Sequence, residues 1–544
     1  MTRDDVIDII CCTQYAVFET VIIVHSSTFT LQQGFFMSNS YLIGIDCGST
    51  MIKAALLDCD GREIGVAGRK IDIVHPMPGW TENNMNALWD NVCAVVSEVL
   101  KTSAINPHDV ACVTCTGHGN GLFLADANGN PVRAGIGSSD SRARRYIEQW
   151  TSDNVLDKLR PKTMQAIWAA QPNALLRWLI DNEPETIKRT TYLFMVKDYI
   201  RFRLTGEAYM ELSDMSATSL IDVGTGEYDD SILDAWGLLD TKRIMPPLRR
   251  SHDICGKITA DAAKRTGLCE GTPVAGGMFD IDACGLAVGM TDETRFCVVA
   301  GTWGNNQYIS KTPVISPNVF MTTRYSIDGY YLMLEGSATS AGNIDWFMNQ
   351  FYIGEQDGKQ SDDTNKLFSQ LEAEILATKP EENGILFLPF LYGGPVDLDA
   401  KGTLIGLEIR HTRGDMMRAV LEGIVFGHRW HAQRLFSFRD KPSTIRLTGG
   451  GRKSEHWSRL FADVFQIPVE IPHGTELGCL GAAICGAVAV GIYDSYEQAC
   501  NKMVVIDKTY QPRPELGDIY ERKFNRYMEL LETLQPAWGK LFGG

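Results

Sequence analysis

Long apolar runs are missing from this sequence. No segment reaches the ~20 consecutive apolar residues that a bilayer-spanning helix needs, so no membrane span is expected. The early apolar stretch 15–24 is broken by Glu19, and Asp4, Asp5 and Asp8 stand where a secretory signal would carry positive charge. Excess positive charge is missing too: 51 Lys and Arg face 67 Asp and Glu, a formal net charge of −16. A broad basic surface for nucleic acid is thereby excluded, and phosphate can be held only locally, by backbone N–H groups and a metal. The 14 cysteines do not form a disulfide framework. They are scattered through a long chain, several inside strand-like apolar runs, as in a reduced, cytoplasmic protein. Cys112 and Cys115 make a C-x-x-C, but within a strand a separation of three sends the thiols to opposite faces. His428 and His431 share a helix face without carboxylate or thiol company, and read as packing residues. Metal-cage spacing, short-period repeats and low-complexity tracts are all absent.

What remains is an ordinary globular composition, 44% hydrophobic and 22% charged, in 544 residues. That is enough chain for two large domains with their own cores. Residues 1–36 read as a disordered or mis-started extension, because a clean strand begins only after Met37, at 41–45. From there the pattern is strand, turn, strand, turn, strand, then an amphipathic helix over about 85–101 carrying Leu88, Val92, Val95, Val96 and Val99, then a buried strand at 110–114. A second block near 295 opens the same way, with a strand ending at Gly301-Thr302-Trp303-Gly304. Alternating helix and strand predict an α/β fold. The repeated opening predicts two similar halves, 37–290 and 291–544, facing a central cleft.

Three turns carry the candidate phosphate chemistry. Asp46-Cys47-Gly48-Ser49-Thr50-Met51-Ile52-Lys53 offers successive N–H groups and hydroxyls at a tight turn, with Lys53 as a point charge. Asp46, at the strand end, suits Mg²⁺, which prefers few carboxylates and several waters. Gly301 and Thr302 mirror this turn in the second half. Gly449, Gly450 and Gly451 follow a buried strand and lead through Ser454 into a helix, an arrangement in which a flat ligand can lie on bare backbone.

These turns, with two longer segments, resemble the FGGY carbohydrate kinase family of the actin-like ATPase superfamily. Gly402-Thr-Leu-Ile-Gly406-Leu407, a seven-residue spacer and Asp415-Met-Met-Arg-Ala-Val-Leu-Glu-Gly423 fit the family's C-terminal signature, and Thr475 to Ala483 resembles its closing helix motif. The segment 172–181 departs from the N-terminal signature at Leu175, where the family usually has Lys. The resemblance implies two actin-like, ribonuclease H-like domains, with sugar and catalytic base in the first and nucleotide in the second. It implies ATP and Mg²⁺ as cofactors, a small sugar or polyol as partner, and, since relatives are often dimers, room for a homodimer.

Gly276-Gly277-Met278-Phe279-Asp280 matches the family's glycine-then-aspartate motif, so the resemblance makes Asp280 the base that takes the substrate proton. Asp282 is the rival; an extended strand would put both on one face. Trp80 and Glu82, Asp140 and Arg142, and the loop His118-Gly119-Asn120 stand at the family's sugar-contacting segments. In that loop His118 replaces a glutamine and Asn120 a histidine, which alters the contacts. The segments around 138–143, 121–124, 254–260, 276–280 and 387–393 most resemble L-xylulose kinases. The implied reaction is transfer of the γ-phosphate of ATP to a terminal hydroxyl of a ketopentose such as L-xylulose. Erythritol, D-xylulose, ribulose or glycerol are the alternative acceptors, and a non-catalytic actin-like switch, which could dispense with Asp280, is the alternative class.

Overall fold

The short strands pair into two mixed seven-stranded sheets. The computed structural model describes residues 40–542 except Thr302, 338–339, 354–362, Tyr392 and 395–398, so the extension 1–36 and the candidate Thr302 lie outside the described residues. The first sheet starts with β1 (Tyr41–Cys47), β2 (Met51–Asp58) and β3 (Glu63–Lys70), an antiparallel meander. A parallel neighbour needs a crossover, supplied by α1 (Met85–Ser103), which leads to β4 (Val110–Gly117) beside β1. Asn84 caps α1 by accepting from the N–H groups of Asn86 and Ala87, and the predicted apolar positions are all buried. After α2 (Val196–Thr205) come β5 (Ile254–Lys257), β6 (Pro273–Ala275), β7 (Met278–Phe279) and α3 (Asp280–Ala287). The spatial order is β5-β6-β4-β1-β2-β3, with β7 paired to the end of β4.

The second sheet repeats this plan. It comprises β8 (Arg295–Ala300), β9 (Gly304–Ser310), β10 (Met321–Arg324), β11 (Tyr331–Ser337), β12 (Thr444–Thr448), β13 (Val469–Pro472) and β14 (Ile506–Tyr510). Helix α4 (Arg413–Phe436) crosses from β11 to β12, and α5 (Glu455–Phe465) from β12 to β13. The spatial order is β10-β11-β9-β8-β12-β13-β14. Around β8, the antiparallel β9 and β11 and the parallel β12 and β13 reproduce the relations that β2, β3, β4 and β6 have to β1. The edges differ: β5 precedes β6 in the chain whereas β14 follows β13, β10 extends the second sheet beyond β11, and β7, among the described residues, belongs to the first sheet's plan alone. The 415–423 part of the C-terminal signature lies in α4, whose Thr412 and Asp415 form a reciprocal capping box. No helix among the described residues is long and apolar enough to cross a membrane.

Each sheet has its own apolar core, and a third core joins them. That third core is built on α6 (Leu477–Ala489), which follows β13 in sequence yet packs on β1, β4 and α3 of the first half. Leu480, Cys485 and Ala487 of α6 meet Leu42 and Cys112 of the first sheet and Leu286 of α3. The approach is possible only where side chains are missing. A Cβ on Gly44 would lie 2.0 Å from the carbonyl oxygen of Cys479, and one on Gly481 would lie 2.0 Å from that of Ala283. No real Cβ tolerates such a contact, so the backbones would have to part. Gly481→Ala is expected to lower folding stability by about 1–3 kcal/mol, the usual cost of overpacking a filled core. Denaturant unfolding measures this, and an unchanged midpoint would show slack at the crossing.

Candidate active site

The β1–β2 hairpin sets Asp46 opposite Lys53 and Cys47 opposite Ile52, leaving Gly48, Ser49 and Thr50 as its turn. Ser49 and Thr50 are exposed at the tip and free to meet a ligand. Asp46 is half-buried, and its Oδ2 lies 2.6 Å from where a Cβ on Gly478 would stand, so the carboxylate rests on the first turn of α6. Burial raises its pKa to about 6; Lys53 opposes that rise and Glu476 adds to it. Lys53 is not a free point charge. Its Nζ is 2.7 Å from Glu476 Oε2, a residue 423 positions away that immediately precedes α6.

In the second half the β8–β9 turn and the β12–α5 turn touch. A Cβ on Gly449 would lie 2.8 Å from the amide nitrogen of Gly301. The three glycines do different things. Gly449 takes a positive φ of 86° against Ala300, Gly451 lies under the Trp457 ring, and only Gly450 faces open space. The hydroxyl of Ser454 caps α5 by accepting from Trp457 N–H at 3.3 Å.

The sugar-side candidates gather in one cluster. Asp140 is buried and accepts from Thr81 N–H at 2.7 Å, from Arg142 N–H at 2.9 Å and from the Arg142 guanidinium at 2.9 Å. Arg142 also pairs with Glu82 at 2.8 Å, and Glu82 takes Arg133 as a second partner. The Arg142 guanidinium lies 4.0 Å from the Trp80 ring centroid, and Trp178 meets Trp80 edge-on at 5.2 Å. Trp80 and Asp140 thus hold Arg142 in place. Its Nη1 is buried without a protein partner, a donor ready for a ligand oxygen.

The loop after β4 links the two regions. His118 N–H donates to Cys47 O at 3.1 Å, tying it to the phosphate hairpin. Burial lowers the His118 pKa to about 4, against a raising contact with the Gly119 carbonyl, so the imidazole is neutral at physiological pH. Asn120 adopts φ +63°, and its buried Oδ1 has no protein partner. Gly119 lies against Phe279, where a Cβ would come within 2.4 Å of the ring.

The strand expected to carry Asp280 and Asp282 on one face is corrected here. Phe279 is the N-cap of α3, so the helix begins at Asp280 and the side-chain period becomes 3.6 rather than 2. Asp282 therefore turns away and accepts from Ser326 N–H at 2.8 Å and its hydroxyl at 3.0 Å. Asp280 sits at the helix head. Burial pushes its pKa well above the usual carboxylate range, and the charges of Asp46 and Asp214 push it further. A carboxylate so placed is a stronger proton acceptor than an exposed one.

Sequence reasoning missed Arg133 and the buried ion cluster of Lys197, Asp198, Arg201, Glu211 and Asp214. The Lys197-Asp198 pair stands near the start of a helix that also carries Arg201 and Arg203, so the sequence alone gives no sign of its burial. Among the described residues, no group of three or more His, Cys, Asp or Glu is arranged for a metal ion. Cys112 and Cys115 are buried and unbridged; both faces of β4 are covered. His428 bonds Ser340 and Asn306, and His431 bonds Glu335, as packing residues do.

Residues 41–287 match the N-terminal domain, and residues 296–490 the C-terminal domain, of the FGGY family of carbohydrate kinases. The chain is 35% identical to the L-xylulose/3-keto-L-gulonate kinase of Escherichia coli, over 91% of this chain and 97% of that one. It is 33% identical to a probable L-xylulose kinase of Haemophilus influenzae, over 91% and 99%. The crystal structure of a xylulose kinase from Rhodospirillum rubrum superposes with a TM-score of 0.82 at 26% identity, over 92% and 99%. The duplicated sheets and these matches lead to one assignment: the chain belongs to the FGGY family of carbohydrate kinases.

Proposed function

We propose that this protein transfers the γ-phosphate of ATP to a terminal hydroxyl of a ketopentose, with L-xylulose as the preferred acceptor. The observation that carries the reading is the place of Asp280. It is a half-buried carboxylate at the head of α3, beside Asp46 of the β1–β2 hairpin, with Gly119 of the 118–120 loop packed on the preceding Phe279. The relatives named for L-xylulose, similar over nine-tenths of the chain, supply the acceptor. In this reading residues 37–290 bind the sugar and supply the base, and residues 291–544 bind the nucleotide.

The acceptor hydroxyl is oriented by His118, Asn120 and Arg142. Arg142 is matched by Glu82 and Asp140, so its cluster offers directed donors more than net positive charge, which suits neutral hydroxyls. Asp280 takes the hydroxyl proton as the oxygen attacks the γ-phosphorus, and the bond to the bridging β–γ oxygen breaks to release ADP. Gly48, Ser49, Thr50, Gly301, Thr302 and Gly449 to Gly451 cradle the phosphates and nucleotide. Asp46 is the residue that would hold Mg²⁺. A half-buried carboxylate, with no three-residue metal cage among the described residues, fits an ion held mainly by phosphates and waters. When bound, Mg²⁺ neutralises phosphate charge.

A coupled assay of ADP release over L-xylulose, other pentuloses, tetritols, glycerol and gluconate is expected to give the highest kcat/KM with L-xylulose. ATP hydrolysis that ignores every sugar would overturn the reading. Asp280→Asn is expected to lower kcat about 10²- to 10⁴-fold, the contribution of a positioned base, while ATP binding by calorimetry stays within a few-fold. The same variant is expected to unfold at higher denaturant than the wild type at pH 8, with the gap closing toward pH 4. A carboxylate whose folded pKa is raised stabilises only below its unfolded pKa, and that advantage is lost as pH rises; Asn has no such loss. A less stable Asp280→Asn protein at pH 8 would contradict the half-buried, charge-penalised state of Asp280.

A further inference from the structure

Helix α2 buries not only Tyr199, Ile200 and Leu204 but also Lys197, Asp198 and Arg201, whose side chains have no solvent exposure. Lys197 Nζ is 3.0 Å from Asp198 Oδ2, 3.4 Å from Glu211 Oε2 and 3.3 Å from Asp214 Oδ2. Arg201 Nη1 is 2.7 Å from Asp198 Oδ1. Two cations and three carboxylates are thus sealed from water. The desolvation cost of such a group can exceed its Coulombic gain, so stability alone is a poor account of its presence.

Its outward hydrogen bonds converge on one short segment. Arg201 Nη1 donates to Gly276 O at 2.6 Å. Glu211 Oε1 accepts from Ser251 Oγ at 2.8 Å, and Ser251 O accepts the Gly277 N–H at 3.0 Å. Glu211 Oε2 accepts from Ser213 Oγ at 2.8 Å, and Ser213 Oγ in turn accepts the Phe279 N–H at 3.1 Å. Thr116 Oγ1 closes the other side by donating to Met278 O at 2.9 Å. Residues 276 to 279, the approach to Asp280, are therefore gripped at every position, mostly from this cluster. Asp214 completes the link to the acceptor side, for its Oδ1 lies 2.9 Å from where a Cβ on Gly119 would stand.

We propose that Lys197, Glu211 and Ser213 form a positioning chain for Asp280. Lys197 pairs with Glu211, Glu211 fixes the Ser213 hydroxyl as a donor toward itself, and the free lone pair of Ser213 holds the Phe279 N–H. That bond sets the cap of α3, and so the direction of the carboxylate one residue later. The chain touches neither nucleotide nor acceptor. Its effect falls on the transfer step, where a displacement of about 1 Å can cost about 10²-fold.

The proposal rests on Asp280 as the base, and its test separates the two. Steady-state kinetics of Ser213→Ala, Glu211→Gln and Asp280→Asn are compared with the wild-type protein on L-xylulose and ATP. Ser213→Ala is expected to lower kcat about 10- to 100-fold with both KM values within about twofold. Glu211→Gln, which keeps the shape and loses the charge, is expected to shift kcat the same way by less. An unchanged kcat in Ser213→Ala, beside an inactive Asp280→Asn, would overturn the positioning chain and leave the base intact. Loss of kcat matched by a rise in both KM values would mark a general structural role and also overturn it. Full activity in Asp280→Asn would instead remove the base on which the chain acts.

Discussion

The contact on which the rest depends is the docking of α6 onto the first sheet and α3. It is a backbone-to-backbone contact, made possible by Gly44 on one side and Gly481 on the other. Through it a helix that belongs in sequence to the second half becomes part of the core of the first. It also carries Glu476 to Lys53 and the first turn of α6 to Asp46. The β1–β2 hairpin therefore gains its contacts with Glu476 and α6 only when the two halves are assembled. A packing constraint, and not a local motif, brings the chemistry together.

The second theme is the management of buried acid. Asp214 and Asp282 are buried, Asp46 and Asp280 half-buried, and all four have raised pKa values with desolvation the largest cause in each case. Like charges this close resist joint ionisation, and the fold answers with specific partners. Lys53 opposes the rise at Asp46, Lys197 opposes it at Asp214, and Ser326 solvates Asp282. At Asp280 the helix-head N–H groups of Ile281 and of its own backbone favour the charge, against desolvation and the charges of Asp46 and Asp214. A carboxylate held with a raised pKa is suited to accept a proton.

Much of the fold was legible because it follows from local periodicity. The apolar spacing of α1, the strand–turn–strand opening of each half and the buried β4 follow from side-chain period and turn residues alone. The clustering of Trp80, Glu82, Asp140 and Arg142 was legible only through resemblance, since nothing in those short segments says that they meet. Three features were hidden for physical reasons. The Lys53–Glu476 pair joins residues 423 apart, beyond any local pattern. The Lys197-Asp198 pair reads as a solvated helix start, because burial of charge depends on partners from other elements. The divergence of Asp280 and Asp282 depends on where a helix begins, and Phe279-Asp280 carries no strong capping signal. Ser454 and two of the three glycines at 449–451 also serve packing and capping, roles that a glycine run alone does not disclose.

The central claim is that the phosphate hairpin, the acceptor loop and Asp280 form one site in which a sugar hydroxyl attacks ATP directly. The most direct measurement uses ATP made chiral at the γ-phosphorus by oxygen isotopes, with L-xylulose as acceptor, and reads the configuration of the sugar phosphate by phosphorus NMR. A single in-line transfer with Asp280 acting only on the proton predicts inversion at phosphorus. Retention would require two displacements through a phosphorylated side chain and would contradict the account.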